Sequence, residues 1–151
     1  MQDMVQTRTP AHLWIVGGLA TLWNAFGCYD YFMTRTRGAE YVHSMMPGAD
    51  AEGFMAYVNS FPIWASIGWG LGVWLGLAGS VLLLMKSKWA APALLVSLIG
   101  AVIGIGYQLM RPADVAGIDG PVNMVMPYVI LAVALGLLVY ARMQAAKGVL
   151  R

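Results

Sequence analysis

The chain has 151 residues, of which 60% are hydrophobic and 11% charged, and its formal net charge is +2. A soluble domain is usually about a quarter charged, so these few charges cannot coat a water-soluble globule of this size. The composition leaves room for one domain, 1–151, with no separate soluble catalytic module, and the small net charge gives no reason to expect nucleic acid as a partner.

Four long apolar stretches predict an all-α, four-transmembrane-helix bundle, with spans at approximately 10–33, 61–85, 89–110 and 121–142. Each approaches or exceeds the roughly 20 residues that a helix needs to cross the hydrocarbon core of a bilayer. The first begins near Pro10, which suits a first helical turn because its missing N–H has no helical partner there. Cleavage of this stretch as a signal peptide is not expected. Arg8 is offset by Asp3, the apolar run exceeds what an h-region needs, and bulky Phe26 spoils the lipoprotein-like Ala25-Phe26-Gly27-Cys28. Cys28 is the only cysteine, so an internal disulfide is excluded and a packing role is expected.

A connector of about 25 residues follows span one and is expected to be partly helical. Glu40–Met46 sets Tyr41, Val42, Met45 and Met46 along one side. After the Pro47-Gly48 turn, Asp50 is placed to cap a second short helix carrying Phe54, Met55 and Val58. Pro62 opens span two. The Lys86-Ser87-Lys88 turn is so short that spans two and three must be antiparallel neighbours. Residues 111–120, with Pro112, Gly117 and Gly120, read as a loop, and Pro127 is expected to kink span four or set its first turn. Gly136 offers close contact further along. No internal repeat is visible.

Basic residues set the orientation. Arg8, Lys86, Lys88, Arg142, Lys147 and Arg151 fall on one side, against Arg35, Arg37 and Arg111 on the other, and six of the seven acids, all but Asp3, accompany the smaller group. Both termini are therefore expected in the cytoplasm, with Trp14, Trp89 and Tyr140 at the inner boundary and Tyr29, Tyr31, Phe61, Trp64, Tyr107 and Tyr128 at the outer one.

The glycines carry the most specific packing signal. Gly68, Gly72 and Gly76 recur every four residues with Gly79 close behind, and Gly100 and Gly104 repeat the spacing in span three. Missing side chains let helices approach closely, which is how helices associate in lipid. Packing between spans two and three, self-association and docking to a larger membrane complex are all open on this pattern. Trp69 and Trp74 are expected to fill space beside the glycines or to face a partner.

Polar residues inside lipid are the other candidates, because they are costly there unless satisfied. Asn24, Asp30, Gln108 and Arg111 form a candidate polar intramembrane site, in which Asp30 and Arg111 lie at similar depth and invite an ion pair, with Arg35 and Arg37 as competing partners. His43, Met45 and Met46 form a weak Cu(I) candidate, thioethers being soft ligands; methionine also fills irregular apolar gaps, and no metal is expected. His12 and His43 fall on opposite sides of the membrane, so they cannot share a haem. A hydrolase would need a positioned nucleophile and base, and Ser44 beside His43, the only outer-side histidine, is too common a neighbour to count, so neither catalysis nor a cofactor is expected.

Trp23-Asn24 followed by Asp30-Tyr31, with Gly72-Val73-Trp74 and the run Gly79–Leu84, resembles a family of small four-span proteobacterial inner-membrane proteins. Its members are often labelled "sugar transporter" without a demonstrated substrate. The resemblance implies an inner-membrane location and a shared unit of Trp23, Asn24, Asp30 and Tyr31. The leading expectation is a non-catalytic accessory or self-associating membrane component packed through its glycine faces. The alternative is a small-solute, sugar-like transporter acting as an oligomer. A wet polar cavity between spans would favour the second, a dry core with an exposed glycine or aromatic face the first.

Overall fold

The computed structural model describes residues 7–151, so Asp3 lies outside the described part. Among the described residues there are six helices and no strand: α1 (Ala11–Arg37), α2 (Ala39–Met45), α3 (Ala51–Asn59), α4 (Ile63–Leu84), α5 (Ala90–Met110) and α6 (Pro121–Ala146). Three of them, α4, α5 and α6, are long and apolar enough to cross a membrane. Only 11% of the most apolar stretch of α6 is buried inside the protein, and large apolar side chains such as Ile63, Leu71, Val122 and Leu135 stand exposed. An apolar surface of this extent needs lipid, which makes the chain a membrane-embedded protein. At 27 residues α1 is the longest helix, but His12, Thr21, Asn24 and Asp30 dilute its apolar run, and it does not reach the hydropathy of the other three.

The long helices pack in the order α1, α4, α5, α6, and the α4–α5 contact is the most extensive. α1 and α6 meet at one end of the bundle, where the His12 ring stands edge-on to Tyr140 and hydrogen-bonds its hydroxyl. Both described ends of the chain lie at this terminal end. The C-terminal residues pair with the α4–α5 turn through Arg151 N–H to the Lys86 carbonyl and Lys88 N–H to the Arg151 carbonyl, at 2.8 and 2.9 Å. The tightest core sits here as well, around Leu13, Leu83, Leu94, Leu137, Leu138 and Ala141.

Local chemistry fixes the helix ends. Pro10 and Pro62 stand at the N-caps of α1 and α4 in extended backbone, one residue ahead of the first turn expected of them. The ends of α4 and α6 both close with paired bonds from the two residues past the cap: Lys86 and Ser87 to Leu83 and Leu82, Gly148 and Val149 to Ala145 and Gln144. That closure needs a left-handed residue, and α6 supplies glycine at Gly148 (φ 72°) whereas α4 uses Lys86 (φ 57°). Pro127 sits within a continuous α6.

At the opposite, connector end, α2 and α3 pack together over the bundle. Asp50 caps α3, its Oδ1 accepting from Gly53 N–H at 3.0 Å. The connector is tied to the α5–α6 loop by Asp50 N–H donating to the Ala116 carbonyl at 2.9 Å and by the Tyr57 hydroxyl donating to the Arg111 carbonyl at 2.7 Å.

Candidate functional site

The glycines of α4 and α5 are spent on each other. A methyl group at Gly100 would lie 2.6 Å from the Gly68 carbonyl oxygen and 2.8 Å from Gly72 N; at Gly104 it would meet Trp69 backbone at 3.1 Å, and at Gly72 the Ala101 backbone at 3.1 Å. Gly79 accommodates Leu94, and Gly76 accommodates the Asn24 amide and Ser97. The two backbones are therefore in near contact along the middle of the bundle, with Ser97 Oγ donating across the seam to the Gly72 carbonyl at 2.6 Å. Gly136 has no neighbour near its missing side chain, so it makes no close contact.

On its other face α4 receives α1. Asn24 donates both amide hydrogens, to its own Ala20 carbonyl at 2.9 Å and across to Ser80 Oγ at 2.8 Å. Cys28, buried, donates to the Val73 carbonyl at 3.1 Å. Tyr31 stands edge-on to Trp69 and Trp74, at 4.8 and 6.4 Å between ring centres, so both tryptophans are engaged by α1. Trp23, Asn24, Asp30 and Tyr31 thus occupy one α1 helix but divide between two surroundings, Tyr31 on the aromatic cluster and the other three at a cavity.

That cavity, about 560 Å³ in volume, lies between α1, α4, α5 and α6 in the connector-end half of the bundle. It exists because α1 and α6 close on each other at the terminal end while the wall between them stays open further along. Trp23 and Phe26 line it and are themselves exposed, which marks that gap as the opening. Its floor lies at Asn24, Gly76, Ser97 and Leu137, and its waist is apolar, with Val73, Ile105, Ile130 and Val133. Asp30, six residues beyond Asn24 and about 9 Å higher by helical rise, lies toward the connector end with Gln108 and Asn123. α2 and α3 roof it with Tyr41, Met46, Phe54 and Tyr57.

The expected Asp30–Arg111 ion pair is absent. Asp30 Oδ1 instead accepts the Tyr41 hydroxyl at 2.8 Å, and Arg111 contributes its backbone carbonyl to Tyr57. Among the described residues the one ion pair is Arg37–Glu40, at 3.8 Å on the surface. Arg35 stacks over the Trp69 and Tyr31 rings at 5.4 and 5.8 Å. Burial pushes the Tyr41 phenol well above its ordinary range, with the Asp30 hydrogen bond and charge adding to it; burial and neighbouring Tyr107 push Tyr57 the same way. Both hydroxyls therefore stay protonated at neutral pH.

Asn24, Asp30 and Gln108 of the polar candidate site are brought to one cavity, and Arg111 lies outside its lining. Met45 and Met46 also line it, whereas His43 is exposed and does not. Among the described residues no cluster of three His, Cys, Asp or Glu could hold a metal. Sequence reasoning missed Tyr41 as the carboxylate's partner and Asn123 as a lining group. The signal for Asn123 was its place four residues before Pro127, whose missing N–H leaves the Asn123 carbonyl without its helical donor.

Set against known protein families, curated proteins and solved structures, the chain matches none of them.

Proposed function

We propose that the protein is a four-span membrane protein that binds a small solute in the cavity between α1 and α6 and carries it across the bilayer, without catalysing a reaction. The cavity carries this reading. About 560 Å³ lies within the range of roughly 300–1,000 Å³ usual for small-molecule sites, and the site combines apolar walls with a few convergent polar groups. Counting α1 as a span puts both termini on one side, and the excess of Lys and Arg there supports a cytoplasmic location for that side. The cavity then belongs to the outer half of the membrane. Four spans are few for a monomeric carrier, so the transporting unit is an oligomer.

The accessory-subunit reading ranks second on geometry. Its support would be an exposed glycine or aromatic face: Gly68, Gly72, Gly100 and Gly104 are occupied within the bundle, while Phe26, Tyr29 and Phe32 stand exposed on α1.

The test is a survey of small solutes by thermal shift on the full chain in lipid nanodiscs, repeated with Ala134→Phe, which fills the cavity from α6. Solutes that stabilise the wild type and lose their effect in the variant support the reading. Solutes that stabilise both equally, or none that stabilise the wild type, overturn it.

A further inference from the structure

We propose that the solute is a lipophilic organic cation, an amine or quaternary ammonium carrying apolar groups, held by the Asp30 carboxylate; this rests on the cavity reading above.

Charge is the first argument. Asp30 is the one charged residue lining the cavity, with no Lys, Arg or His beside it. Of the connector-end cations, Arg37 pairs with Glu40 at the surface, Arg35 stacks on the Trp69 and Tyr31 rings, and Arg111 lies outside the lining. A carboxylate facing an apolar space, satisfied only by one phenol, is a strong attractor for a positive charge, because the low dielectric leaves it little screened.

Hydrogen-bonding capacity points the same way. Both amide hydrogens of Asn24 are used, which leaves its oxygen beside the floor, and the Asn123 carbonyl lacks its helical donor. The Asn24 amide can therefore only accept, which suits a ligand that donates or carries positive charge, while the Gln108 and Asn123 amides that also line the cavity both donate and accept. An anion would meet Asp30 with no compensating cation. A polyol would press several hydroxyls against the apolar waist, at a cost for each one left unpaired.

The walls complete the match. Tyr41, Phe54, Phe61 and Trp69 line the same connector-end half as Asp30. Aromatic faces attract cations, and substituted ammonium groups most often, since their charge is spread over carbons that also gain from apolar contact. The opening between α1 and α6 admits a molecule with enough apolar surface to arrive through the bilayer.

The experiment compares benzyltrimethylammonium with neopentylbenzene, its neutral isostere in which carbon replaces the charged nitrogen. Both are measured against full-length protein in nanodiscs of zwitterionic lipid, so that no anionic headgroup competes. The expected result is saturable binding of the cation at least tenfold tighter than that of the isostere. Asp30→Asn, which keeps an oxygen for the Tyr41 hydroxyl, should weaken the cation tenfold or more and leave the isostere unchanged, and Asp30→Glu should retain cation binding. Melting curves establish that each variant is folded. Equal binding of both probes, or cation binding unaffected in Asp30→Asn, overturns the cation assignment, and the cavity reading still stands if Ala134→Phe abolishes that binding. Binding of neither probe also overturns it, and the solute survey then decides the cavity reading by itself.

Discussion

The Tyr41 hydroxyl donates to Asp30 Oδ1 at 2.8 Å, and this bond fastens the connector helix α2 onto α1 at the roof of the cavity. Tyr41→Phe removes the only side-chain donor that the carboxylate has among the described residues. A hydrogen bond to a charged group contributes about 1.5–3 kcal/mol, so the variant should melt measurably earlier. The bond also has a pH signature. Burial and Asp30 raise the Tyr41 phenol above its unfolded value, so the folded state keeps the proton longer. Its contribution is complete below the unfolded phenol pKa of about 10 and is lost as pH rises beyond it. Wild-type melting temperature should therefore fall above pH 10 more steeply than that of Tyr41→Phe. Parallel curves would show that Tyr41 does not carry the alkaline loss, Tyr57 being common to both proteins.

The glycine seam makes a sharp contrast available. At Gly100 an added methyl would press on α4 backbone at 2.6 and 2.8 Å, and backbone cannot step aside as a side-chain tip does. Gly100→Ala should cost about 3 kcal/mol through forced separation of α4 and α5. At Gly136 nothing lies within 4 Å of the added group, so Gly136→Ala should be neutral or gain about 0.5–1 kcal/mol from reduced backbone freedom. Thermal denaturation in detergent separates the two, and equal effects would contradict the packing described.

Whether α1 crosses the membrane is open to direct labelling. In a Cys28→Ala background, Thr7→Cys and Ser44→Cys place exposed thiols before and after α1. An impermeant maleimide should reach position 44 from outside in intact cells and position 7 only after permeabilisation. Labelling of both from the same side would leave α1 on the membrane surface and reduce the bundle to three spans.

Parts of this architecture were legible in the sequence because they depend on local rules. The apolar runs of α4, α5 and α6 needed only length and composition, Asp50 announced its helix by cap chemistry, and four-residue glycine spacing identified a close-packed face. What stayed hidden depends on how helices are turned about their axes. Asp30 and Arg111 share a depth, but depth does not set direction, and the carboxylate found its partner in a connector that folds back over the bundle. The cavity likewise follows from α6 resting on α5 while touching α1 at one end, which no periodicity encodes.

Asn24 and Ser80 join α1 to α4 by one amide–hydroxyl bond of 2.8 Å, at the level of the cavity floor. Interhelical hydrogen bonds in membranes average only about 0.6 kcal/mol, because the separated helices find other partners. A double-mutant cycle with Asn24→Ala and Ser80→Ala should return a coupling of about that size. A much larger value would mean that the pair holds more than itself, such as the orientation of the floor. Ser80 also donates to the Gly76 carbonyl at 2.8 Å, so its single variant should lose more than the coupling alone.

Gln144 supplies the opposite case, a polar side chain whose removal should help. It is 2% exposed near the end of α6, and its Oε1 has no hydrogen-bond partner among the described residues. A buried polar atom left unpaired costs about 1–3 kcal/mol. Gln144→Met keeps the length and flexibility of the side chain while removing both polar ends, and the fold loses no side-chain bond to that oxygen. The backbone of residue 144 still accepts from Val149 N–H at 3.0 Å, so the helix ending is preserved. Melting temperature should rise. A fall would show that Gln144 is engaged in the membrane-embedded protein, by a bound water or by a second copy of the chain. Melting at several protein concentrations would then separate these, since only the second depends on concentration.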